Sequence, residues 1–219
     1  SGNGLHAELN RITSGSSVSG KVGRAFDLTN RGYVDLSQHI ATLSSTPAFT
    51  LTAWVRNAND IVFSMSDGTP RDRVQFELQN RWLYYGWQKG DRFDYVSARV
   101  SDWKTDRWYH VAVSVSGGKV TIYRDGKALI APRSSGAVIG TRVRAPIDVE
   151  QPTHAYLGFL VSNHARRKQF LGGLIDDVQF YGRALDERAI RFLYEHPGET
   201  YSNISVTNRP QEEAGNDQE

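Results

Sequence analysis

Apolar and polar residues alternate along most of the chain between residues 24 and 181. In the segment 49–55 the odd positions are apolar, and Thr50 and Thr52 fall between them. A period of two is typical of a β-strand that buries one face. The same alternation or turn-bounded apolar run predicts further strands at 82–87, 109–115, 119–123, 155–161 and 171–181. The pattern therefore predicts an all-β chain.

The segment 73–79 puts its apolar residues on one face and its polar residues on the other. The even positions are apolar and turn inward. The opposite face carries the polar side chains of Arg73, Gln75, Glu77 and Gln79. Because such a strand has one face in the core and the other toward solvent, we predict a polar platform on the outside of a sheet.

A short helix is predicted near the end of the alternating region. Asp186 can cap it, apolar residues recur four positions apart, and Pro197 and Gly198 end it. We expect the helix to cover a sheet edge. The sequence after Gly198 is polar and increasingly acidic, which is typical of a tail or linker.

Four sequence phrases, in this order, resemble the laminin G and pentraxin-like domains of the concanavalin A-like superfamily. They are residues 23–27 with 33–34, residues 49–55, residues 108–113 with 123–127, and residues 173–181 with 183–185. The resemblance implies a two-sheet antiparallel β-sandwich, the concanavalin A-like jelly roll, with a short C-terminal helix. It also implies a lectin-like or carbohydrate-binding module of a larger, extracellular or periplasmic protein.

We expect one laminin G-like domain over residues 20–198. An N-terminal segment, 1–19, is expected to include an edge strand, and residues 199–219 are expected to form the tail. Ser1 and Gly2 resemble a protease scar, so we expect an export signal or other domains to precede this chain in its parent.

Composition excludes several classes of function. The 26 Lys and Arg residues nearly balance the 24 Asp and Glu residues, so the global charge does not indicate nucleic-acid binding. No apolar run is long enough to insert into a bilayer. Without cysteine, the chain has no disulfide and no thiolate site.

Catalysis is not indicated by the carboxylate pattern. A retaining glycosidase of this fold needs two carboxylates about 5 Å apart, and no Glu-x-Asp strand supplies them. The segments 73–77 and 38–40 also lack the arginine and histidine motifs of polysaccharide lyases that share this fold. We predict a non-catalytic module in which Glu77 makes hydrogen bonds.

A basic loop and an aromatic strand provide candidate ligand contacts. Arginine binds carboxylate or sulfate groups in a bidentate manner, so an anionic glycan is one ligand hypothesis and a solvated loop is the alternative. The candidates for this contact are His164, Arg166, Arg167 and Lys168, joined by Arg71 and Arg73. In the segment 82–87 aromatic residues occupy both faces, and we take Tyr85 and Trp87 as sugar-stacking candidates.

Asp176 is the candidate ligand of a structural calcium ion, and Asn59 and Asp60 are further candidate ligand-binding residues. Asn59 and Asp60 resemble the acid and amide pair with which pentraxins hold calcium, although the later loop, acidic in pentraxins, is basic here. Asp176 lies on an otherwise apolar strand face, where an unpaired carboxylate would be costly. A structural Ca²⁺ completed by backbone oxygens of residues 23–35, as the resemblance implies, or hydrogen bonds from backbone amides would compensate it.

Three functions remain open at this point. The first is a carbohydrate-binding module that recognises a glycan or glycoprotein through the polar face of the segment 73–79. The second is a laminin G-type protein-interaction or adhesion domain. The third is a glycoside hydrolase or polysaccharide lyase, which the missing motifs disfavour.

Overall fold

Strands make up most of the computed structural model, which describes residues 8–12, 17–45, 48–129, 133–134, 149–160 and 169–202. In chain order they are β1 (Glu8–Asn10), β2 (Ser17–Ser19), β3 (Arg24–Asp27), β4 (Tyr33–Asp35), β5 (Phe49–Arg56), β6 (Asp60–Ser66), β7 (Asp72–Gln79), β8 (Trp82–Lys89), β9 (Arg92–Arg99), β10 (Tyr109–Ser116), β11 (Lys119–Arg124), β12 (Lys127–Ala128), β13 (Arg133–Ser134), β14 (His154–Leu157), β15 (Phe159–Leu160), β16 (Gln169–Phe170) and β17 (Leu174–Tyr181). A 3₁₀ turn (Ser37–His39) leads into helix α1 (Ile40–Ser44), and helix α2 spans Glu187–Glu195.

The strands form two large antiparallel sheets. Sheet A has eight strands in the order β1-β4-β14-β6-β7-β8-β9-β13, and sheet B has seven in the order β12-β11-β10-β5-β17-β3-β2. Strands β15 and β16 pair as a separate small hairpin. The predicted two-sheet antiparallel sandwich is confirmed, and strands β1 and β2 of the N-terminal segment lie at sheet edges.

The core lies between the two sheets and is built by the alternation. Sheet A contributes Val74, Phe76 and Leu78, and sheet B contributes Leu51 and Val113, all almost fully buried. Full burial of a side chain of this size stabilises the fold by about 1.5–3 kcal/mol. The other residues of these strands must point away from the core, which gives each sheet an outer face.

Helix α2 begins where the sequence predicts. The carboxylate of Asp186 accepts a hydrogen bond from the backbone N–H of Ala189 (2.9 Å), so the predicted cap is confirmed. The helix packs on the outer face of sheet B and contacts its edge strand β12, where the N–H of Ala128 donates to the Glu187 carboxylate (3.4 Å), in keeping with the expectation that it covers a sheet edge. Its apolar stripe needs a flat apolar partner, and the packed cluster comprises Ala189, Ile190, Leu193, Leu185, Ala112 and Tyr123.

Candidate functional site on the outer face of sheet A

Three polar side chains follow one another along β7 on the face that points away from the core. We call Arg73, Gln75 and Glu77 the polar row. Gln75 is 4% and Glu77 6% exposed, although neither belongs to the hydrophobic core. The row therefore lies at the bottom of the outer face, below taller neighbouring side chains.

Hydrogen bonds connect the polar row from end to end. The guanidinium of Arg73 donates to the backbone carbonyl of Pro70, and its Nε donates to Oε1 of Gln75 (2.8 Å). Nε2 of Gln75 then donates to Oε2 of Glu77 (2.9 Å). Because each member holds the next, the row is fixed in place before any ligand arrives.

A β-bulge brings a second carboxyl group to the Glu77 end of the row. The register between β6 and β7 shifts between Ile61 and Phe63, and Asp60 adopts a left-handed φ of 105°. Such a backbone is unfavourable for a residue with a side chain and is found preferentially at functional sites. Oδ1 of Asp60 accepts a hydrogen bond from Nε2 of Gln169 on β16 (3.0 Å). We call Asp60 and Glu77 the acid pair.

Burial raises the pKa of both carboxyls of the acid pair. Burial, and after it the charge of Asp60, raise the pKa of Glu77 to about 7 against the opposing effects of Gln75 and Arg73. Burial raises the pKa of Asp60 to about 6, although its hydrogen bond from Gln169 lowers it. The pair therefore gains its full negative charge only as the pH rises above about 7.

Aromatic side chains flank the polar row on the side of β8 and β9. Tyr84 and Tyr95 meet edge to face with ring centroids 5.5 Å apart, and Phe93 lies 5.9 Å from Tyr95. The ring of Phe93 lies over Gly86, where a Cβ atom would approach it to 2.6 Å. We call Tyr84, Phe93 and Tyr95 the aromatic wall.

The β15–β16 hairpin flanks the polar row on the other side. The hydroxyl of Ser64 on β6 donates to the backbone carbonyl of Phe159 (2.6 Å), which fixes the hairpin against the sheet. Rings of the hairpin and of β4 also stack, with Tyr33 and Phe159 at 4.8 Å. Because β7 lies between β6 and β8, the polar row runs between this hairpin and the aromatic wall.

The structure brings together four of the residues that the sequence singles out. These are Arg73, Gln75, Glu77 and Asp60. Asn59 is exposed, and the described contact of its backbone N–H is with the carbonyl of Leu171 rather than with the polar row. Arg71 lies at an exposed turn, where its guanidinium is 3.8 Å from Asp91.

Of the two predicted stacking residues, Tyr85 is wrong, whereas Trp87 is only partly buried and stays a prediction. Tyr85 is fully buried in the core, and Trp87 packs against the core. The register pairs Tyr84 with Glu77, so the even positions of β8 form its outer face. Because aromatic residues occupy both faces of this strand, its own sequence does not show which set points outward.

Sequence reasoning missed Phe93, Tyr95 and Gln169. In strand β9 the inward positions include Asp94, which forms an ion pair with Arg92 near the start of the strand (2.6 Å), and this charge obscures the alternation. Gly86 was a usable signal, because a glycine inside a strand indicates close approach by another group. The basic-loop candidates His164, Arg166, Arg167 and Lys168 lie outside the described residues.

Asp176 is compensated by backbone amides. Its Oδ2 accepts from the N–H of Val22 (2.7 Å), and its Oδ1 accepts from the N–H of Asp177 (2.8 Å). Across the part of the chain that the structure describes, no group of three or more His, Cys, Asp or Glu residues could hold a metal ion. These surroundings fit the amide alternative, and a calcium ion at Asp176 stays a prediction.

A laminin G-type profile of the concanavalin A-like lectin/glucanases superfamily matches residues 28–191. The chain belongs to this superfamily. The match spans both sheets and the polar row, and it bears out the resemblance. Within the described residues, no helix is both long enough and apolar enough to cross a membrane.

Individual relatives are more distant. The chain is 24% identical over 161 residues to adhesion G-protein coupled receptor V1 of Danio rerio, a match that covers 69% of this chain and 2% of the receptor. The match thus spans a small part of that receptor.

Two solved structures share the fold over most of their length. Domain 4 of AbnA, a GH43 extracellular arabinanase from Geobacillus stearothermophilus in complex with arabinotriose, aligns with a TM-score of 0.56 and 19% identity over 86% of this chain and 87% of that domain. The CBM40 of the Ruminococcus gnavus IT-sialidase, bound to α2,3 sialyllactose, aligns with a TM-score of 0.56 and 12% identity over 85% of this chain and 97% of that module. At these identities the alignments show the fold alone.

Proposed function

We propose that this domain is a non-catalytic glycan-binding module whose site is the polar row on the outer face of sheet A. The observation that carries the proposal is the position of the row, a connected line of hydrogen-bonding side chains between the aromatic wall and the β15–β16 hairpin. A glycan-binding site needs these two components side by side, polar groups that fix orientation and apolar surface against which a ring packs.

The chemistry of the site suits a sugar. Sugar hydroxyls both donate and accept, and the row offers carboxyl oxygens, carboxamides and a guanidinium. The C–H faces of a sugar ring can pack against Tyr84 or Tyr95 of the aromatic wall. Because the row is held in place by its own hydrogen bonds, little conformational freedom is lost on binding.

The comparisons support this proposal without deciding it. Two modules with this fold are seen with arabinotriose and with α2,3 sialyllactose. We also propose an extracellular location, since domains of the laminin G type and the receptor relative suggest one. The likeness to an adhesion receptor favours, as the second candidate, a domain that binds a protein.

Glycan binding can be tested on an array of neutral, uronic, sialylated and sulfated oligosaccharides, followed by titration calorimetry of the strongest ligand. We expect Tyr84→Ala to weaken binding about ten-fold, because it removes one ring of the aromatic wall. Phe26→Ala is the matched control, since Phe26 is also a partly exposed aromatic residue but lies on sheet B. It should leave the affinity unchanged.

Two other results would contradict the proposal. Binding to no glycan would favour the protein-binding domain. Release of reducing ends from a bound oligosaccharide, lost in Glu77→Gln, would make the acid pair a catalytic site, because two carboxyls of raised pKa can serve as acid and base.

A further inference from the structure

The acid pair lies at one end of the polar row, and its charge sets what can bind there. Asp60 and Glu77 each use one described carboxyl oxygen to accept from a carboxamide, that of Gln169 or of Gln75. The second oxygen of each carboxyl can then accept a hydrogen bond from a hydroxyl group of the ligand. Ionised carboxyls accept hydrogen bonds and donate none, so they select for hydroxyl groups and against other carboxylates.

The positive charge of the polar row does not outweigh the acid pair. Arg73 contributes one positive charge, and Asp60 and Glu77 contribute two negative charges when both are ionised. Two donor positions of Arg73 are also already in use, on Gln75 and on the carbonyl of Pro70. The positive charge of Arg73 also interacts with the carboxylate of Glu77, so part of it is already balanced inside the protein.

Among the residues that the structure describes, the charged groups Lys89 and Arg99 are distant from the acid pair or balanced by an opposite charge. Lys89 lies beyond the Arg73 end, 3.2 Å from both Asp72 and Glu150. The register places Arg99 on the outer face two strands from β7, at a distance of about 10 Å, where exposed charges are largely screened. Within the described part of the chain, Tyr84 on β8 and Gln169 on β16 adjoin the acid pair from the neighbouring elements, and both are uncharged polar groups.

We propose that the polar row selects neutral, hydroxyl-rich glycans and rejects glycans whose sugars carry carboxylate or sulfate groups. The inference rests on the proposed function and deepens it. It also opposes the hypothesis, drawn from His164, Arg166 and Arg167, that the ligand is anionic. The ligand would place a hydroxyl pair against Asp60 and Glu77 and a ring against the aromatic wall.

The test compares neutral oligosaccharides with related ones that carry carboxylate or sulfate groups. Suitable pairs are mannotetraose with the mannuronate tetramer, and lactose with sialyllactose and sulfated lactose. At pH 8 we expect the wild-type protein to bind the neutral member of its preferred pair at least about ten-fold more tightly. The double variant Asp60→Asn, Glu77→Gln keeps the carbonyl acceptors and should bring this ratio toward one.

Glu195→Gln is the control for the loss of a negative charge, since Glu195 is exposed at the end of α2 on the other sheet. It should leave the ratio unchanged. If the double variant does not fold, as judged by circular dichroism, the wild-type protein at pH 5 replaces it. Protonation of the acid pair at that pH should raise the relative affinity for a sulfated ligand, whose own charge does not change.

Different results would overturn glycan binding and the preference for neutral glycans. Binding to no glycan at either pH overturns the proposed function and this inference together. Equal or tighter binding of the anionic ligands by the wild-type protein overturns the inference alone. Loss of that anionic binding in Arg166→Ala, Arg167→Ala would then place selectivity in the basic loop.

Discussion

The two outer faces of the sandwich arise from the same alternation, but Thr50 on sheet B and the acid pair on sheet A have their polar atoms satisfied in different ways. On sheet B, Thr50 on β5 is enclosed by the chain itself, because its hydroxyl donates to the carbonyl of Arg183 (2.9 Å) and accepts from the N–H of Leu185 (2.8 Å). On sheet A, Glu77 is buried and Asp60 half-buried, each with one carboxamide bond to its carboxyl and with a raised pKa. Polar groups that the fold satisfies internally are structural, whereas those held at a cost are candidates for function.

The difference between the faces follows from what covers each of them. Helix α2 and the segment before it lie over β10 and β11, so sheet B has a covered outer face with its own small core. On sheet A the hairpin covers β6, and the aromatic wall rises from β8 and β9, which leaves β7 between them. Substitutions on sheet B should therefore alter stability, and substitutions on sheet A should alter binding.

The largest expected change in the free energy of unfolding comes from weakening the packing of helix α2 on sheet B. Leu193→Ala removes an almost fully buried side chain from the contact between α2 and the sheet, and should lower the free energy of unfolding by about 2–5 kcal/mol. Urea unfolding measures this change. Arg188→Ala, on the exposed side of the same helix, should change stability by less than about 0.5 kcal/mol.

Glycan affinity of the folded Leu193→Ala protein should match that of the wild type, because the polar row lies on the other sheet. A large loss of affinity in this variant would show that the two faces are not independent.

A smaller loss of stability is expected on substitution of Asp176. Asp176→Ala leaves the N–H groups of Val22 and Asp177 without their carboxylate acceptor and should cost about 2–3 kcal/mol of stability. Asp176→Asn keeps one acceptor oxygen and should cost less. Thermal unfolding with Ca²⁺ and with a chelator tests the competing prediction, since the amide bonds alone predict equal melting temperatures. A rise with Ca²⁺ that Asp176→Ala abolishes would instead support a bound ion.

The fold is predictable from the sequence to a greater degree than the site. Alternation along a strand depends on burial alone, so segments such as 49–55 and 73–79 correctly predict which residues face the core. The site depends on register and on backbone exceptions. Only the pairing of β7 with β8 shows that Tyr84, and not Tyr85, stands beside Glu77. The contact of Asp60 with Gln169 joins residues far apart in the chain through a bulge that no local pattern announces.

Glu77→Gln in the polar row is expected to stabilise the protein, whereas the substitutions on sheet B destabilise it. The change is also the smallest of the three. Burial raises the pKa of Glu77 from 4.5 to about 7, so the folded protein binds this proton more tightly than the unfolded chain does. Stability should therefore fall as the pH rises from about 4.5 to about 7. Glu77→Gln imitates the protonated form, and at pH 8 it should be more stable than the wild type by roughly 2 kcal/mol.

At pH 4 the Glu77→Gln and wild-type proteins should be equally stable, because Glu77 is then protonated in both the folded and unfolded states. Urea unfolding across this pH range measures the difference, and Glu195→Gln, with its exposed carboxyl, should follow the wild type at every pH. A variant that is stabilised at pH 8 while losing its preference for neutral glycans would show that sheet A keeps a buried charge for recognition rather than for folding. Destabilisation at pH 8 would mean that Glu77 is a structural residue, and the contrast between the two outer faces would then disappear.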